Sequence, residues 1–453
     1  MTHTIRPLAL LGALSLAACG SGANAGSRDA SGPGSDASSG GSGDSGGGAS
    51  SGGSASGASS SGGGTSSGAS SSGGGSSGGG DSGLSSGGAD GGSSSGSDGG
   101  AALVNHAPGS KFFVGANFWS IDWEGQADFF TSNVDFTTTT NPWQPALLTD
   151  LAPYAVLRFM DWNQTNTSSN AQAVWSTRKQ KTQPQNEPVA FEWQIDLCNR
   201  TKKDYWLNIP HEAAPDYWPK LAQLVHDQLD PSLRVYVEWS NEVWNTGFPQ
   251  HAYSASQAQT LGLPGATPAI AYQVYESVRV YEAFEGVFGK GSPRLVKVIA
   301  GQAAWTGPCN DEMTAFASAA INPNKTAADA YAIAPYFSGT TIQALGTSIT
   351  TVVGWTQSSF TCASGGGLAL ISYEGGSDSF AASGNGCTTL QHDPGMHDLY
   401  TQYLTGISGA KLSGPFMQYT HTGACWGLKE KTSDALSVSP KYKGVLDWLA
   451  AHP

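Results

Sequence analysis

The sequence predicts an α/β fold, a (β/α)8 TIM barrel preceded by a disordered Gly/Ser tether. A low-complexity segment ends at residue 102, and residues 103–453 contain no second break of that kind, which favours one large domain. In residues 103–453, short apolar, β-branched or aromatic runs alternate with helical patterns, as in βα units around a parallel sheet. The runs number eight, as a closed barrel requires. An open doubly wound sheet is the alternative, but no Gly-rich phosphate loop follows the first strand.

The first nineteen residues predict an export signal with a lipid attachment site. Arg6 precedes an apolar run over residues 8–18 that is too short to span a bilayer. The run ends in Leu-Ala-Ala-Cys, which resembles a bacterial lipobox and implies that Cys19 is lipidated. An ordinary secretory signal with a chance cysteine is the alternative. Because Gly20 follows the cysteine, we expect an exported protein that is lipid-anchored to the bacterial cell envelope, at the outer membrane.

Residues 20–102 consist almost entirely of Gly, Ser, Ala and Asp. Such a segment buries too little apolar surface to offset its ordering entropy, so we expect a disordered tether. A Gly/Ser coil of about 80 residues has an end-to-end distance of roughly 50 Å. The whole chain has a formal net charge of −13, which argues against nucleic acid or an anionic polymer as partner.

The eight runs of residues 103–453 are predicted strands, and the patterns between them are predicted helices. The strands are Phe112–Ser120, Ala155–Trp162, Asp204–Pro210, Arg234–Glu242, Val296–Gln302, Ala330–Ser338, Ala369–Gly376 and Gly414–Gly427. The clearest helix is Pro268–Phe288, with apolar residues at helical spacing and Gly289 just past its end. Asp216–Leu229 and Pro440–Leu449 have similar patterns, and Pro440 occupies a first-turn position that tolerates proline.

Two of these strands end in a glutamate, where barrels of this kind place their chemistry. The fourth strand ends at Glu242 and the seventh at Glu374. Strands four and seven lie on opposite sides of an eight-stranded ring, so the two carboxyl groups can face each other across the mouth. Retaining glycosidases use two carboxyl groups about 5–5.5 Å apart, one as nucleophile and one as acid/base. The sequence therefore predicts glycoside hydrolysis.

The segment YVEWSNE, residues 236–242, is similar to strand four of the family 5 glycoside hydrolases. With a second glutamate ending strand seven, it resembles clan A of these enzymes, which includes the family 5 cellulases and mannanases. The resemblance covers residues 103–453 by strand order, with specific motifs in strands four and seven alone. It implies that Glu242 is the acid/base and Glu374 the nucleophile.

The same resemblance implies supporting roles for five more residues. Asn241 would bind the sugar 2-hydroxyl, and Tyr336 would donate a hydrogen bond to the nucleophile. Arg158 would keep the nucleophile ionised, because a nearby cation lowers a carboxylate pKa; an ion pair inside the barrel is the alternative. His211 is expected either to contact substrate or to make a structural hydrogen bond. Trp426 is similar to the platform tryptophan of the clan.

Three positions depart from the family 5 pattern, and one further glutamate needs a role. Ala334 stands where family 5 usually has histidine, Val243 where proline often follows, and Gly375 where an aromatic residue follows the nucleophile. These departures favour a divergent family within the clan. Glu238 shares the strand parity of Glu242, and we expect it to be a structural partner for a buried cation.

Aromatic residues suggest a sugar-binding mouth. All fourteen tryptophans lie in residues 103–453, and indole faces stack on sugar rings. Trp206 and Trp448 are expected in the core. Five others fall at or beyond the C-terminal ends of predicted strands, and we expect about three of them to stack on sugars: Trp119, Trp162, Trp244, Trp305 and Trp426.

The remaining five cysteines are an odd number, so at least one thiol is left over. Export permits disulfides. Cys362 and Cys387 bracket one predicted strand and could close a loop, a link that typically stabilises by about 3 kcal/mol. Other pairings among Cys198, Cys309, Cys362, Cys387 and Cys425 stay open. No Cys-x-x-Cys spacing suggests zinc, and His392 and His397 lack a helical metal-ligand spacing.

The leading hypothesis is hydrolysis, with retention, of a neutral β-linked polysaccharide or oligosaccharide by a monomer that needs no metal or cofactor. Cellulose, mannan and xylan are preferred in that order. A non-catalytic surface glycan-binding lipoprotein is one alternative, motivated by Ala334 and Gly375. An envelope transglycosylase is another, and it would use the same residues.

Overall fold

A computed structural model of the chain describes residue 103 and residues 106–121, 125–379 and 386–453. The predicted signal with Cys19 and the predicted tether of residues 20–102 lie outside these described residues. Among the helices of the described part, none is long and apolar enough to span a membrane.

Eight parallel strands close into a barrel in chain order, which confirms the (β/α)8 prediction. They are β1 (Val114–Asn117), β2 (Val156–Arg158), β3 (Asp204–Ile209), β4 (Val235–Trp239), β5 (Leu295–Ala300), β6 (Ala330–Ile333), β8 (Ala369–Ser372) and β10 (Phe416–Gln418). The strand β10 pairs with β1 and closes the ring. The strands end earlier than the predicted runs, because the last apolar residues of each run continue into the loops at the mouth.

Two short strands extend the barrel at one side of its mouth. They are β7 (Tyr336–Ser338), which follows β6, and β9 (Gly376–Asp378), which follows β8. They pair in parallel, with Tyr336 opposite Gly376. This small sheet brings Tyr336 beside the chain segment that carries Glu374.

Helices occupy the connections between the strands. They are α1 (Pro145–Asp150), α2 (Phe191–Thr201), α3 (Tyr217–Gln228), α4 (Pro249–Leu261), α5 (Pro268–Phe288), α6 (Gly307–Ala317), α7 (Ile342–Gly365), α8 (Gly386–Gln391), α9 (Gly395–Gly409) and α10 (Pro440–Ala451). The bounds of α5 are those predicted, because a proline in the first turn and Gly289 after the last turn mark both ends.

The core has two layers, one inside the barrel and one between the strands and the helices. Alternating strand residues fill the interior, among them Trp206, Tyr236, Ile371 and Met417. The rings of Trp206 and Tyr236 stack with centroids 5.3 Å apart. Trp206 and Trp448 are both buried, which confirms the prediction that they are core residues.

The disulfides differ from the pairing that the sequence suggested. Cys362 pairs with Cys309, and Cys387 pairs with Cys425, while Cys198 is a buried free thiol. The suggested Cys362–Cys387 link was therefore wrong. Cys362 lies in α7 and faces Cys309 in α6, so the bridge joins two neighbouring helices rather than spanning the intervening strand.

Candidate active site

A buried arginine at the end of β2 is the centre of the candidate site. Arg158 has no exposed surface. Its guanidinium makes ion pairs with two carboxylates, at 3.0 Å to Glu238 and 2.9 Å to Glu374. It also donates to the side-chain oxygens of Asn117 at 3.1 Å and Asn241 at 2.8 Å. Such complete pairing is what makes a buried charge tolerable.

Glu238 is the structural member of this network. Both of its carboxylate oxygens accept from Arg158. One of them also accepts from the indole of Trp206 at 2.9 Å and the amide of Asn208 at 2.8 Å. These contacts confirm the expectation that Glu238 is the partner of a buried cation.

Glu374 lies between β8 and β9 and is 2% exposed. One carboxylate oxygen accepts from Arg158, and the other accepts from the hydroxyl of Tyr336 at 2.8 Å. Burial raises the pKa of Glu374 above its usual range, and the Arg158 charge and the Tyr336 hydrogen bond offset part of that rise. The predicted contacts of Arg158 and Tyr336 with this carboxyl are both present.

Glu242 follows β4 and is half-buried. Its two oxygens accept from the Tyr373 hydroxyl at 2.8 Å and the Asn245 amide at 3.1 Å. Burial, followed by the negative charge of Glu374, raises the pKa of Glu242 to about 7. The pair is therefore asymmetric: a cation lies against Glu374, while Glu242 is held by neutral donors and retains its proton more readily.

The backbone that carries Glu242 is in an unusual conformation. Ser240 and Glu242 have φ angles of 62° and 42°, in the left-handed region that non-glycine residues rarely adopt. Such residues cost about 1–3 kcal/mol each and concentrate at functional sites. Both residues lie just beyond β4, which ends at Trp239.

Sequence reasoning missed Tyr373, one of the two residues that donate to Glu242. Tyr373 shares the strand parity of Ile371, and both side chains lie inside the barrel. That parity is the signal in the sequence that identifies Tyr373, whereas Glu374, the next residue, has the opposite parity. The strand β8 ends at Ser372, so Tyr373 and Glu374 follow it and both reach the mouth of the barrel.

A second group that sequence reasoning missed holds the Asn241 amide. The amide nitrogen of Asn241 donates to the side-chain oxygen of Asn166 at 3.1 Å, while the amide oxygen of Asn241 accepts from Arg158. Gln250, in α4, donates to the same Asn166 oxygen at 2.7 Å and to the backbone oxygen of Asn241 at 2.6 Å. These bonds fix the orientation of the amide beside Glu242. Asn166 and Gln250 lie in a loop and a helix without a motif that marks them.

His211 follows β3 and is buried against the ring of Tyr253, with centroids 5.0 Å apart. Burial lowers its pKa, and the Glu212 charge, followed by a hydrogen bond to the backbone of Thr165, partly opposes this. These contacts accord with the structural role that was one of the two expectations for His211.

The tryptophans of the mouth occupy different environments. Trp119 and Trp426 meet edge to face at 5.6 Å beyond β1 and β10. Trp244 is half-buried beyond β4, and Trp305 is 62% exposed beyond β5. Trp162, by contrast, is fully buried and stacks on Phe118 at 4.9 Å. The expectation that Trp162 belongs to the rim was therefore wrong, because its side chain points into the core from the end of the strand.

Packing accounts for one departure from the family 5 pattern. A Cβ atom at Gly375 would lie 2.7 Å from the Phe416 ring and 2.9 Å from the Tyr403 hydroxyl. A side chain at this position would therefore displace the Phe416 ring or the Tyr403 hydroxyl. Ala334 lies between the barrel interior and the aromatic residues of the mouth and packs against both.

In residues 106–121, 125–379 and 386–453, no three His, Cys, Asp or Glu side chains are grouped as a metal ion requires. The chemistry that the described groups offer is that of one carboxylate held by a cation and one carboxyl that retains its proton.

No protein-family model matches this chain, and no curated protein matches it. Solved structures are similar in fold. They include a 4-O-α-L-rhamnosyl-β-D-glucuronidase from Fusarium oxysporum, with 13% identity, a TM-score of 0.45 and coverage of 78% of this chain and 70% of that one. A family 51 arabinofuranosidase from Xanthomonas axonopodis pv. citri has 12% identity, a TM-score of 0.45 and coverage of 76% and 72%. An endo-β-1,4-mannanase from Thermotoga petrophila has 9% identity, a TM-score of 0.42 and coverage of 76% and 77%. The barrel assignment itself rests on the strand order given above.

Proposed function

We propose that the chain is a retaining glycoside hydrolase that acts on a neutral β-linked polysaccharide or oligosaccharide. The observation that carries the proposal is the asymmetric carboxyl pair at the mouth of the barrel. Glu374 lies against the buried Arg158 cation at 2.9 Å, and Glu242 has a pKa raised to about 7. A nucleophile must be ionised and a general acid must carry a proton, and these two environments favour those states.

In the first step, the Glu374 carboxylate attacks the anomeric carbon while Glu242 gives its proton to the glycosidic oxygen. The bond to the leaving sugar breaks, and a covalent glycosyl ester forms on Glu374. In the second step, Glu242, now ionised, takes a proton from water, and the hydroxide attacks the anomeric carbon. The ester bond breaks, Glu374 returns as a carboxylate, and the configuration of the sugar is retained. Arg158 and Tyr336 hold the nucleophile in place throughout.

The surrounding residues support a sugar substrate. The Asn241 amide, fixed by Asn166 and Arg158, lies next to the acid/base and is proposed to bind the sugar 2-hydroxyl. Trp119, Trp426, Trp244 and Trp305 are proposed to stack on sugar rings. Cellulose, mannan and xylan remain the preferred substrates in that order.

The test uses full-length wild type, Glu374→Gln, Glu242→Gln and the matched control Glu282→Gln. Glu282 lies in α5 and accepts from Asn324 and Thr326. Reducing-end release is measured on β-glucans, mannans, xylans and galactans, and proton NMR follows the configuration of the first product. We expect wild type and the control to release the β-anomer first, as retention on a β-linked substrate requires. Both site variants should lose at least about a thousandfold in kcat.

Release of the inverted product would refute the retaining mechanism. Glycan binding without release by wild type would favour the surface binding protein, and transfer to sugar rather than water would identify a transglycosylase.

We also propose that the chain is exported and lipid-anchored through Cys19. The supporting observation is the apolar run that ends in Leu-Ala-Ala-Cys. Metabolic labelling with a radioactive fatty acid should mark wild type and not Cys19→Ser. Label that persists in the variant would refute this site of attachment.

A further inference from the structure

A buried amide at the end of β1 joins several strands below the mouth of the barrel. Asn117 is the last residue of β1 and is 1% exposed. It shares the strand parity of Phe113, which lies in the barrel interior, so its side chain also points inward. The amide oxygen accepts from Arg158 at 3.1 Å. The amide nitrogen donates to the backbone oxygens of Tyr373 at 3.0 Å and Gln418 at 3.4 Å. One side chain therefore connects the ends of β1, β2, β8 and β10.

Two of these partners lead directly to Glu374, the proposed nucleophile. The Arg158 nitrogen Nη1, which donates to Asn117, is the same atom that donates to Glu374 at 2.9 Å. The Tyr373 oxygen that accepts from Asn117 belongs to the peptide that joins Tyr373 to Glu374. The Asn117 amide therefore constrains Glu374 at both ends, at the carboxylate through the guanidinium and at the backbone through the preceding peptide.

The two partners of Asn117 also contact each other. The Arg158 guanidinium lies over the Tyr373 ring, 5.2 Å from its centroid, a distance at which a cation is attracted to the face of an aromatic ring. Amide, guanidinium and tyrosine therefore form a closed set of three contacts. Rotation of the amide by half a turn would bring its NH2 group against the guanidinium and its oxygen against the Tyr373 carbonyl, and neither pair forms a hydrogen bond. One orientation of the amide alone satisfies both partners.

The place of the Glu374 carboxylate matters because a double displacement depends on the position of its nucleophile. An error of about 1 Å in the position of a reacting group can lower a rate a hundredfold. Arg158 and Tyr336 hold the two carboxylate oxygens, but the Arg158 guanidinium must itself be held. Glu238 fixes one side of that guanidinium, and Asn117 fixes the nitrogen that faces Glu374.

We propose that Asn117 is a positioning residue for the nucleophile: it sets the place of the Glu374 carboxylate by tying the Arg158 guanidinium to the peptide between Tyr373 and Glu374. This inference rests on the proposed glycoside hydrolase function and adds a further residue to it. Loss of the amide should slow the chemical steps and leave sugar binding in place, because Asn117 acts through protein groups that support the nucleophile.

The test compares full-length wild type, Asn117→Leu, Asn117→Asp and the matched control Asn322→Leu. Leucine has a similar shape and removes both ends of the amide, whereas aspartate keeps an acceptor for Arg158 and removes the donor to Tyr373. Asn322 lies between α6 and β6, at the opposite end of the barrel, and is 3% exposed. It donates to the backbone oxygens of Phe316 at 3.1 Å and Thr326 at 2.9 Å. Its substitution therefore removes the same kind of buried amide bonds away from the mouth.

Kinetics are measured on the best substrate of the glycan panel, with thermal melts to show that each variant is folded at the assay temperature. We expect both Asn117 variants to lose about tenfold to a hundredfold in kcat, with KM within about threefold of wild type. The control should have a lower melting temperature and the kcat of wild type. If Asn117→Leu does not fold, Asn117→Asp decides the matter. A wild-type kcat in the folded Asn117 variants, or a loss in kcat that Asn322→Leu matches, would overturn the inference.

Binding separates failure of this inference from failure of the proposed function. Calorimetric titration compares the glycan of the panel that binds best, as a neutral oligosaccharide, with an iminosugar of the same configuration. The ammonium group of the iminosugar replaces the anomeric carbon and forms a charge-assisted hydrogen bond with a correctly placed carboxylate. Asn117→Leu should weaken iminosugar binding at least about tenfold and oligosaccharide binding by less than about threefold.

The outcomes for the two proposals differ. If wild type is inactive and the iminosugar still loses affinity selectively in Asn117→Leu, the hydrolase proposal fails and the positioning role stands. If wild type is active and neither kcat nor iminosugar affinity responds to Asn117, the role of Asn117 fails alone. A wild type that neither cleaves nor binds any glycan of the panel would overturn both.

Discussion

Two tyrosines make matched contacts with the two carboxyls, which allows their protonation states to be tested separately. Tyr336 donates to Glu374 and Tyr373 donates to Glu242, each at 2.8 Å. Phenylalanine removes either hydroxyl and keeps the ring. A hydrogen bond to a charged group contributes about 1.5–3 kcal/mol. Since one pKa unit corresponds to about 1.36 kcal/mol, each substitution should raise the pKa of its partner by about 1–2 units.

The two variants should move opposite limbs of the pH profile of kcat/KM. Activity requires Glu374 to be ionised, so it falls as pH decreases through that pKa, and Tyr336→Phe should move this acidic limb to higher pH. Activity requires Glu242 to be protonated, so it falls as pH rises through a pKa of about 7. Tyr373→Phe should move this basic limb to higher pH and broaden the profile.

The assay is kcat/KM between about pH 3 and pH 10, which reports the pKa values of the free enzyme. Thermal melts at each pH show whether the protein is folded. The assignment of roles would be refuted if Tyr336→Phe moved the basic limb, if Tyr373→Phe moved the acidic one, or if both moved the same limb.

Three further predictions concern stability. Arg158→Met leaves buried carboxylates unpaired, so it should lower the free energy of unfolding by about 3–5 kcal/mol, as measured by urea titration. A loss no larger than that of Glu238→Gln would contradict this prediction. Burial raises the pKa of Asp204 to about 7. The folded state therefore binds more protons than the unfolded state between about pH 4 and pH 7, so stability falls as pH rises through this range. In Asp204→Asn, urea titrations between about pH 4 and pH 7 should show no such fall in the free energy of unfolding from this group. The Cys309–Cys362 disulfide joins residues 53 positions apart, so Cys309→Ser should lower the free energy of unfolding by about 4 kcal/mol. A loss below about 1 kcal/mol would show that the bridge is not strongly stabilising.

The barrel was predictable because its strands are short apolar runs with helical patterns between them. The ends of the strands were less predictable. The predicted run Ala155–Trp162 becomes a strand only over Val156–Arg158, because Asp161–Asn163 turns into a 3-10 helix. The apolar character continues there because Trp162 packs in the core, and composition alone does not separate a strand from a buried turn.

The residues of the site also divide into those that the sequence predicts and those that depend on tertiary contacts. Glu242 and Glu374 follow from their positions at strand ends, and Arg158 was expected from the resemblance to clan A. Asn166 and Gln250 could not be predicted, since their role depends on hydrogen bonds to Asn241 between distant parts of the chain. A strand-end rule places a residue near the mouth, but only the tertiary contacts decide which way its side chain points.

The energetics of the buried charges favour catalysis over binding alone. Glu238, Arg158 and Glu374 are almost entirely buried, and ion pairs of this kind often add little stability compared with apolar residues of similar size. A surface that only binds a neutral sugar gains from stacking rings and hydroxyl partners, neither of which requires a carboxylate fixed by a buried cation. A double displacement does require one, since its nucleophile must stay ionised in a site from which water is excluded. The proposed mechanism also gives Glu238 a role: it neutralises part of the Arg158 charge and fixes the guanidinium, which in turn holds the proposed nucleophile Glu374.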